Sequence, residues 1–212
     1  ERQLERQNEQ LERLASVVSH DLRNPLTVAQ GRIDLALSEH DTEHLEAARS
    51  AVDRSLELTD DLLELARAGK RVREIGAVDV ADVVQSSWEN VQTGTGTLDA
   101  EIDATIEADR SRLRQLCENL FRNAVEHAGK EPTVTVGALE DGFFVADDGP
   151  GIPDSEREEV FETGYSRSEG GTGFGLSIVK EIVEAHEWEL QLRESVDGGA
   201  RSEITDVTFA AE

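Results

Sequence analysis

Apolar residues recur at helical spacing through the first third of the chain. Leu4, Leu11, Leu14, Val18, Leu22, Leu26, Ala29, Ile33 and Leu37 follow one another in steps of seven, three and four, the stripe of a coiled coil or helix bundle. The pattern predicts one helix over residues 1–40. Residues 38–42 interrupt it, and Thr42 is a suitable N-cap for a second helix over 43–68. There the stripe resumes at Leu45, Ala48, Val52, Leu56, Thr59, Leu62, Leu63 and Ala66. Two helices joined by a short turn make an antiparallel hairpin. One hairpin has little to bury against, so pairing of two copies into a four-helix bundle, a homodimer, is expected.

A basic, glycine-flanked stretch from Arg67 to Gly76 reads as a linker, and the pattern changes after it. Helical periodicity covers 80–91, 110–128 and 172–185, with a short helix at 154–161. Strands are predicted at 97–103, 104–108, 133–139, 142–146, 189–194 and 203–210. The segment 162–171 is a polar, glycine-rich loop. Strands interleaved with three helices form an α/β sandwich, a mixed sheet packed on the helices.

Composition narrows the function classes. The 212 residues carry 46 acidic against 21 basic side chains, a formal net charge of −25. Phosphate neutralisation, and with it nucleic-acid binding, is disfavoured. The acid is dispersed along the chain and lysine occurs only at 70, 130 and 180. Such a surface suits concentrated salt, where screening removes self-repulsion; an ordinary acidic cytosolic protein is the alternative. No apolar run approaches the ~18 residues of a membrane span, and no signal peptide is evident. The single Cys117 falls on a helical apolar stripe and reads as core packing. The chain has no methionine and begins within a heptad pattern, as expected of a piece of a longer protein.

Four segments concentrate chemistry. Ser19-His20-Asp21-Leu22-Arg23-Asn24-Pro25-Leu26 places a proline inside a helix, at a cost of about 3 kcal/mol, five residues after a histidine flanked by an aspartate. Asn24 shares the helix face of His20. Asn119, Asn123 and His127 also lie four apart on one face; they are either a polar surface or, for the amides, hard oxygen ligands of the Mg²⁺ type, and a lone histidine is more often a hydrogen-bonding partner. Asp147-Asp148-Gly149-Pro150-Gly151-Ile152 follows a strand; it is either a plain turn or a carboxylate placed to accept from an exocyclic amine. Gly170-Gly171-Thr172-Gly173-Phe174-Gly175-Leu176 runs into a helix; it is either a flexible linker or an anion cradle of free N–H groups. It is neither a P-loop nor a dinucleotide fingerprint, lacking the Gly-Lys-Ser/Thr of one and the preceding strand of the other.

In this order the segments resemble the sensor histidine kinases. Asn119 and Asn123 match the N box, Asp147 to Gly151 the G1 box, Val160-Phe161-Glu162 the F box and Gly171 to Gly175 the G2 box, a nucleotide-binding arrangement shared with gyrase-type and Hsp90-type ATPases. The opening octapeptide matches the H box. The resemblance implies a signalling coiled coil (1–15), a dimerisation and histidine-phosphotransfer domain (16–68), a linker (69–77) and a catalytic ATP-binding domain (78–212). It implies autophosphorylation of His20 by ATP and transfer to an aspartate of a response-regulator receiver domain. Asp21 would orient and stabilise the imidazole, and Asn24 would serve regulator dephosphorylation. Asn123 would hold Mg²⁺, Asn119 would assist at the phosphates and Asp147 would read the adenine. Gly149, Gly151, Gly171, Thr172, Gly173, Phe174, Gly175, Leu176 and His127 would complete the nucleotide site. A sensor domain would precede the chain, and the location would be cytoplasmic. The sequence departs from the family at Thr163, often proline, and at Glu126, often lysine. One rival is a clamp ATPase, which needs a water-activating glutamate at the place of Asn119; Glu118 is one residue away and ~100° around the helix. Another is a non-catalytic dimeric scaffold.

Overall fold

The structure is a computed structural model. It describes residues 21–22, 24–29, 31–35, 45–52, 54–55, 58, 74–91, 93–127, 129, 131–162, 164–165 and 173–210. His20, the hairpin turn at 38–42 and the linker up to 73 lie outside the described residues. Residues 21–22, 24–29 and 31–35 are helical, as are 45–52, 54–55 and 58. Pro25 sits within the stretch 24–29. Along them Ala29, Ala48 and Ala51 are buried, whereas Leu26, Val28, Ile33, Leu35, Leu45 and Val52 are exposed in the single chain.

The remaining described residues form β1 (Gly76–Asp79), α1 (Val80–Asn90), β2 (Thr97–Glu101), β3 (Thr105–Ala108), α2 (Arg110–His127), β4 (Thr133–Leu139), β5 (Gly142–Asp147), a 3-10 turn (Glu159–Phe161), α3 (Gly175–Ala185), β6 (Glu189–Glu194) and β7 (Ala200–Thr205). Five strands make one mixed sheet in the order β2-β4-β5-β7-β6. β2 and β4 are parallel, and the other pairs are antiparallel. β1 and β3 form a separate antiparallel ribbon.

Local chemistry sets the helix ends. Asp79 caps α1 by accepting from Asp82 N–H at 3.1 Å, and Val80, Val83, Val84 and Ser87 give α1 one buried face. Asp109 caps α2, its Oδ1 accepting from Ser111 N at 3.0 Å and Arg112 N at 3.3 Å. α2 buries Leu113, Leu116, Cys117, Leu120, Phe121 and Ala124. Those side chains join Ile178, Val179, Ile182 and Val183 of α3 and Val134, Val136, Phe143, Val145 and Ile204 of the sheet in one core. Trp88 meets Phe121 edge-on at 5.4 Å between ring centroids, within the span of favourable T-shaped pairs. Cys117 is fully buried, and burial, with Glu118 nearby, pushes its thiol pKa up to about 12. On the far side of the sheet Arg201 stacks on Phe144 at 3.5 Å and pairs with Glu203 at 2.7 Å.

Several predicted bounds shift. Gly76 opens a strand, because β3 supplies it with a partner that local pattern does not reveal. The helix predicted over 154–161 contracts to the 3-10 turn, since Arg157 and Tyr165 draw that segment into side-chain contacts instead. The helix predicted from Thr172 begins at Gly175, after the left-handed Gly173, whose φ of +75° cannot be helical. The last strand runs over 200–205; beyond it an isolated bridge joins Phe209 to Ile106, and Val207 N–H donates to Asp141 O at 2.9 Å.

His186 ties the two helix ends together. Its Nδ1 faces the Ile182 carbonyl oxygen at 2.8 Å, and Nε2 accepts from Asp109 N–H at 3.1 Å. The ring stacks on Trp188 at 4.3 Å. Both bonds are met by the neutral Nδ1–H tautomer. Burial lowers the pKa of His186; the Ile182 carbonyl and Asp109 oppose this, and Arg112 adds to it. A lowered folded-state value means the unfolded chain takes up the proton first, so stability rises with pH across the window. The stabilisation is complete above about pH 6.5 and is lost as pH falls towards the lower folded value. Urea midpoints between pH 7 and 5 are expected to fall more steeply in the wild type than in His186→Gln.

Candidate functional site

α2, the end of β5, β7 and the start of α3 enclose a cavity of about 260 Å³. Its lining includes Asn119, Asn123 and His127 of α2, Asp147, Gly151 and Ile152 after β5, and Gly173, Gly175 and Leu176 at the head of α3. Three segments far apart in sequence thus meet at one place.

Asp147 is half-buried. Its Oδ1 accepts from Gly149 N–H at 2.9 Å and Ala200 N–H at 3.1 Å. Both donors go to the same oxygen, leaving Oδ2 as the acceptor available to a ligand. Burial raises the pKa of this carboxyl; the two amide donors hold it down, Asp148 raises it and the exposed His127 lowers it. Gly199 permits the arrangement, since a Cβ there would stand 2.1 Å from the Asp147 carbonyl oxygen and 2.4 Å from Oδ1.

Asn119 is 2% exposed. Its Nδ2 donates to Gln115 O at 2.9 Å, and its Oδ1 is buried without a partner, as is Asn123 Nδ2. Unpartnered buried polar atoms are costly and mark places completed by a ligand or ion. A Cβ on Gly175 would come within 2.9 Å of Asn123 Oδ1, so α3 begins directly against that amide. The N–H groups of the first turn of α3 lack helical partners and carry the positive end of the helix dipole. Gly173 O accepts from Gly164 N–H at 3.0 Å. This bond ties residue 164 to residue 173, and a Cβ on Gly173 would lie 2.6 Å from Gly164 C.

Other predicted residues fall elsewhere. Gly149 acts through its N–H on Asp147 rather than as lining. Phe174 is fully buried in the hydrophobic core and does not line the cavity. Asp21 and Asn24 are helical residues away from the lining. His20, Gly171 and Thr172 lie outside the described residues. Glu118 does not face the cavity: it accepts from Asn90 Nδ2 at 3.2 Å and pairs with Arg114 at 3.8 Å. Sequence reasoning misses Arg122, Tyr165, Leu192, Ala200 and Ser202 as lining residues. Arg122 is signalled by its spacing three residues after Asn119. The β6 and β7 residues carry no local signal, because only sheet register sets Ser202 beside Val145 and Leu192 beside Ser202.

Residues 108–209 match the family described as histidine kinase-, DNA gyrase B- and HSP90-like ATPase, and residues 10–71 match the His Kinase A (phospho-acceptor) domain. The chain is 30% identical over 213 residues to the circadian input-output histidine kinase CikA of Synechococcus elongatus, covering 87% of this chain and 28% of that protein. It is 31% identical over 223 residues to the signal transduction histidine-protein kinase/phosphatase MprB of Mycobacterium avium, covering 93% and 42%. Full-length ShkA, solved in complex with AMPPNP, superposes with a TM-score of 0.63 at 27% identity, covering 95% of this chain and 47% of that one. With both domains in this order, the chain belongs to the sensor histidine kinases, carrying the phosphoacceptor and ATP-binding domains of a protein-histidine kinase.

Proposed function

We propose that the chain binds Mg·ATP in this cavity, phosphorylates His20 and passes the phosphoryl group to an aspartate of a response-regulator receiver domain. The cavity carries the reading: an amine-accepting carboxylate, two amides with orphaned atoms and a helix N-terminus converge in a chain that also has a phosphoacceptor domain. Asp147 Oδ2 would accept from the adenine amine. The first-turn N–H groups of α3 would hold the phosphates, with Gly171 and Thr172 contributing from the segment before it.

The residues present fit a magnesium ion. Asn119 Oδ1 is a hard oxygen without a partner, and the Asn123 amide presents oxygen or nitrogen at its buried position by a half-turn. Among the described residues no three His, Cys, Asp or Glu side chains gather into a metal cluster. Phosphate and water oxygens would therefore supply the remaining ligands, the habit of Mg²⁺. The bound ion would offset charge on the transferring phosphoryl group.

The neutral imidazole of His20 would attack the γ-phosphorus as the bond to the β-phosphate oxygen breaks, releasing ADP. Asp21 would hold the other ring nitrogen and offset the positive charge that develops. Asn24 would position water for regulator dephosphorylation, an activity that MprB carries in its name. Pro25 would let the helix bend between the two arrangements. The exposed leucine, isoleucine and valine side chains of the helical stretches support pairing of two copies. No described helix is long and apolar enough to cross a membrane.

Incubation with Mg²⁺ and either γ- or α-labelled ATP tests the reaction. Protein labelled by γ- but not α-labelled ATP is expected. Free labelled phosphate without labelled protein would indicate a clamp ATPase, a reading already disfavoured by Glu118 facing Asn90. The dispersed carboxylates support a chain adapted to concentrated salt; its melting temperature is expected to rise from dilute buffer to molar KCl, and a flat response would contradict that.

A further inference from the structure

A side-chain clasp stands at one edge of the cavity. Tyr165 is half-buried and lines the cavity. Its hydroxyl donates to Glu156 Oε2 at 2.6 Å, the length of an O–H bond to a carboxylate. Its backbone N–H donates to Glu162 O at 3.1 Å. Glu156 is half-buried and does not line the cavity. Any effect of Glu156 on a molecule bound there is therefore exerted through Tyr165 or through charge.

The clasp connects two parts of the site. Beside Glu156, Arg157 donates its Nε to Ile152 O at 3.2 Å, which anchors this segment to the cavity lining that follows β5. On the other side, the backbone of residues 164–165 lies directly on Gly173. Gly164 N–H donates to Gly173 O at 3.0 Å, and a Cβ on Gly173 would stand 2.7 Å from Tyr165 O. Gly173, with its φ of +75°, sets the direction in which the chain enters α3 two residues later. The place of the first-turn N–H groups of α3 therefore depends on where residues 164–165 are held. Binding groups work within about 0.5 Å of their productive geometry, and hydrogen bonds behind them keep them there.

We propose that Tyr165 is a positioning residue for phosphate binding: its hydrogen bond to Glu156 holds residues 164–165 against Gly173 and so fixes the head of α3 towards the phosphates of ATP. This rests on the Mg·ATP reading above. The clasp acts on the phosphate half of the site. The base half has its own supports, since Gly149 N–H and Ala200 N–H hold Asp147. Removing the tyrosine hydroxyl keeps the ring and releases the head of α3. Removing the Glu156 carboxylate does the same from the other partner. Charge alone has the opposite sign: a carboxylate repels a triphosphate, so neutralising it would tighten binding.

Affinities for Mg·ATP and for adenosine, which lacks the phosphates, test the assignment on the full chain. The variants are Tyr165→Phe, Glu156→Ala, Glu156→Gln and the double variant Tyr165→Phe/Glu156→Ala. Tyr165→Phe and Glu156→Ala are each expected to weaken Mg·ATP binding by about five- to tenfold and adenosine binding by less than about twofold. The double variant is expected to lose no more than either single one, the mark of one shared interaction. Glu156→Gln keeps an acceptor for the hydroxyl and is expected to retain most of the affinity that Glu156→Ala loses. Unchanged or tighter Mg·ATP binding in Glu156→Ala, additive losses in the double variant, or equal weakening of ATP and adenosine overturns the assignment while leaving ATP binding intact. Failure of the wild type to bind Mg·ATP at all overturns both this proposal and the reading beneath it.

Discussion

Asp147→Asn is expected to weaken ATP binding by two orders of magnitude or more while leaving the protein at least as stable at pH 7. The affinity loss follows from the fixed role of Oδ1. Gly149 N–H and Ala200 N–H both donate to it, so the asparagine oxygen must take that place. The amide nitrogen then falls where Oδ2 was, and a donor faces the adenine amine, itself a donor. Losing a hydrogen bond to a charged group costs about 1.5–3 kcal/mol, and a buried amine left unpaired adds to this. The stability result has the opposite sign. Burial raises the folded pKa of Asp147, against the pull of the two amide donors. A raised carboxyl pKa means its contribution to stability is full below about pH 3.9, the unfolded value, and is lost as pH rises through the folded value. At pH 7 the charge is therefore a burden on the fold, which a neutral isostere removes. Titration calorimetry with an ATP analogue, alongside thermal melts, checks both halves. A variant that both binds poorly and melts well below wild type would show that Asp147 is structural.

The helical and strand patterns were legible because their periods differ: α2 shows its apolar stripe from Leu113 to Ala124 and β4 alternates through Val134 and Val136. The three glycine- and asparagine-bearing segments were legible as chemistry because residue type at close spacing is local information. Their meeting in one cavity follows from topology, and there sequence reasoning stops at expectation. Ala200 and Ser202 escaped it because a short strand after a glycine turn has no motif, and only register with Val145 and Ala146 carries it to Asp147. Phe174 misled it because a residue between two glycines of an anion cradle looks like part of the cradle, whereas its ring is drawn into the core. The β1–β3 ribbon was hidden for the same reason as β7: its pairing is non-local.

His20→Gln is the other substitution expected to have an effect of the largest size. Glutamine keeps helix propensity and comparable length, but its amide nitrogen has no lone pair free to attack phosphorus. No other proposed residue can substitute for a lost nucleophile, so phosphoryl incorporation is expected to fall below detection rather than decline in degree. Nucleotide affinity is expected to stay within about twofold, as for independent sites. That separation of binding from transfer distinguishes an acceptor from a residue that shapes the cavity.

The most direct measurement is therefore the amount and linkage of label on wild type and His20→Gln after incubation with γ-labelled ATP and Mg²⁺. The account predicts acid-labile, base-stable label on the wild type, mapped to His20, and none on the variant. Absence of label on the wild type, acid-stable label, or equal label on His20→Gln would contradict it.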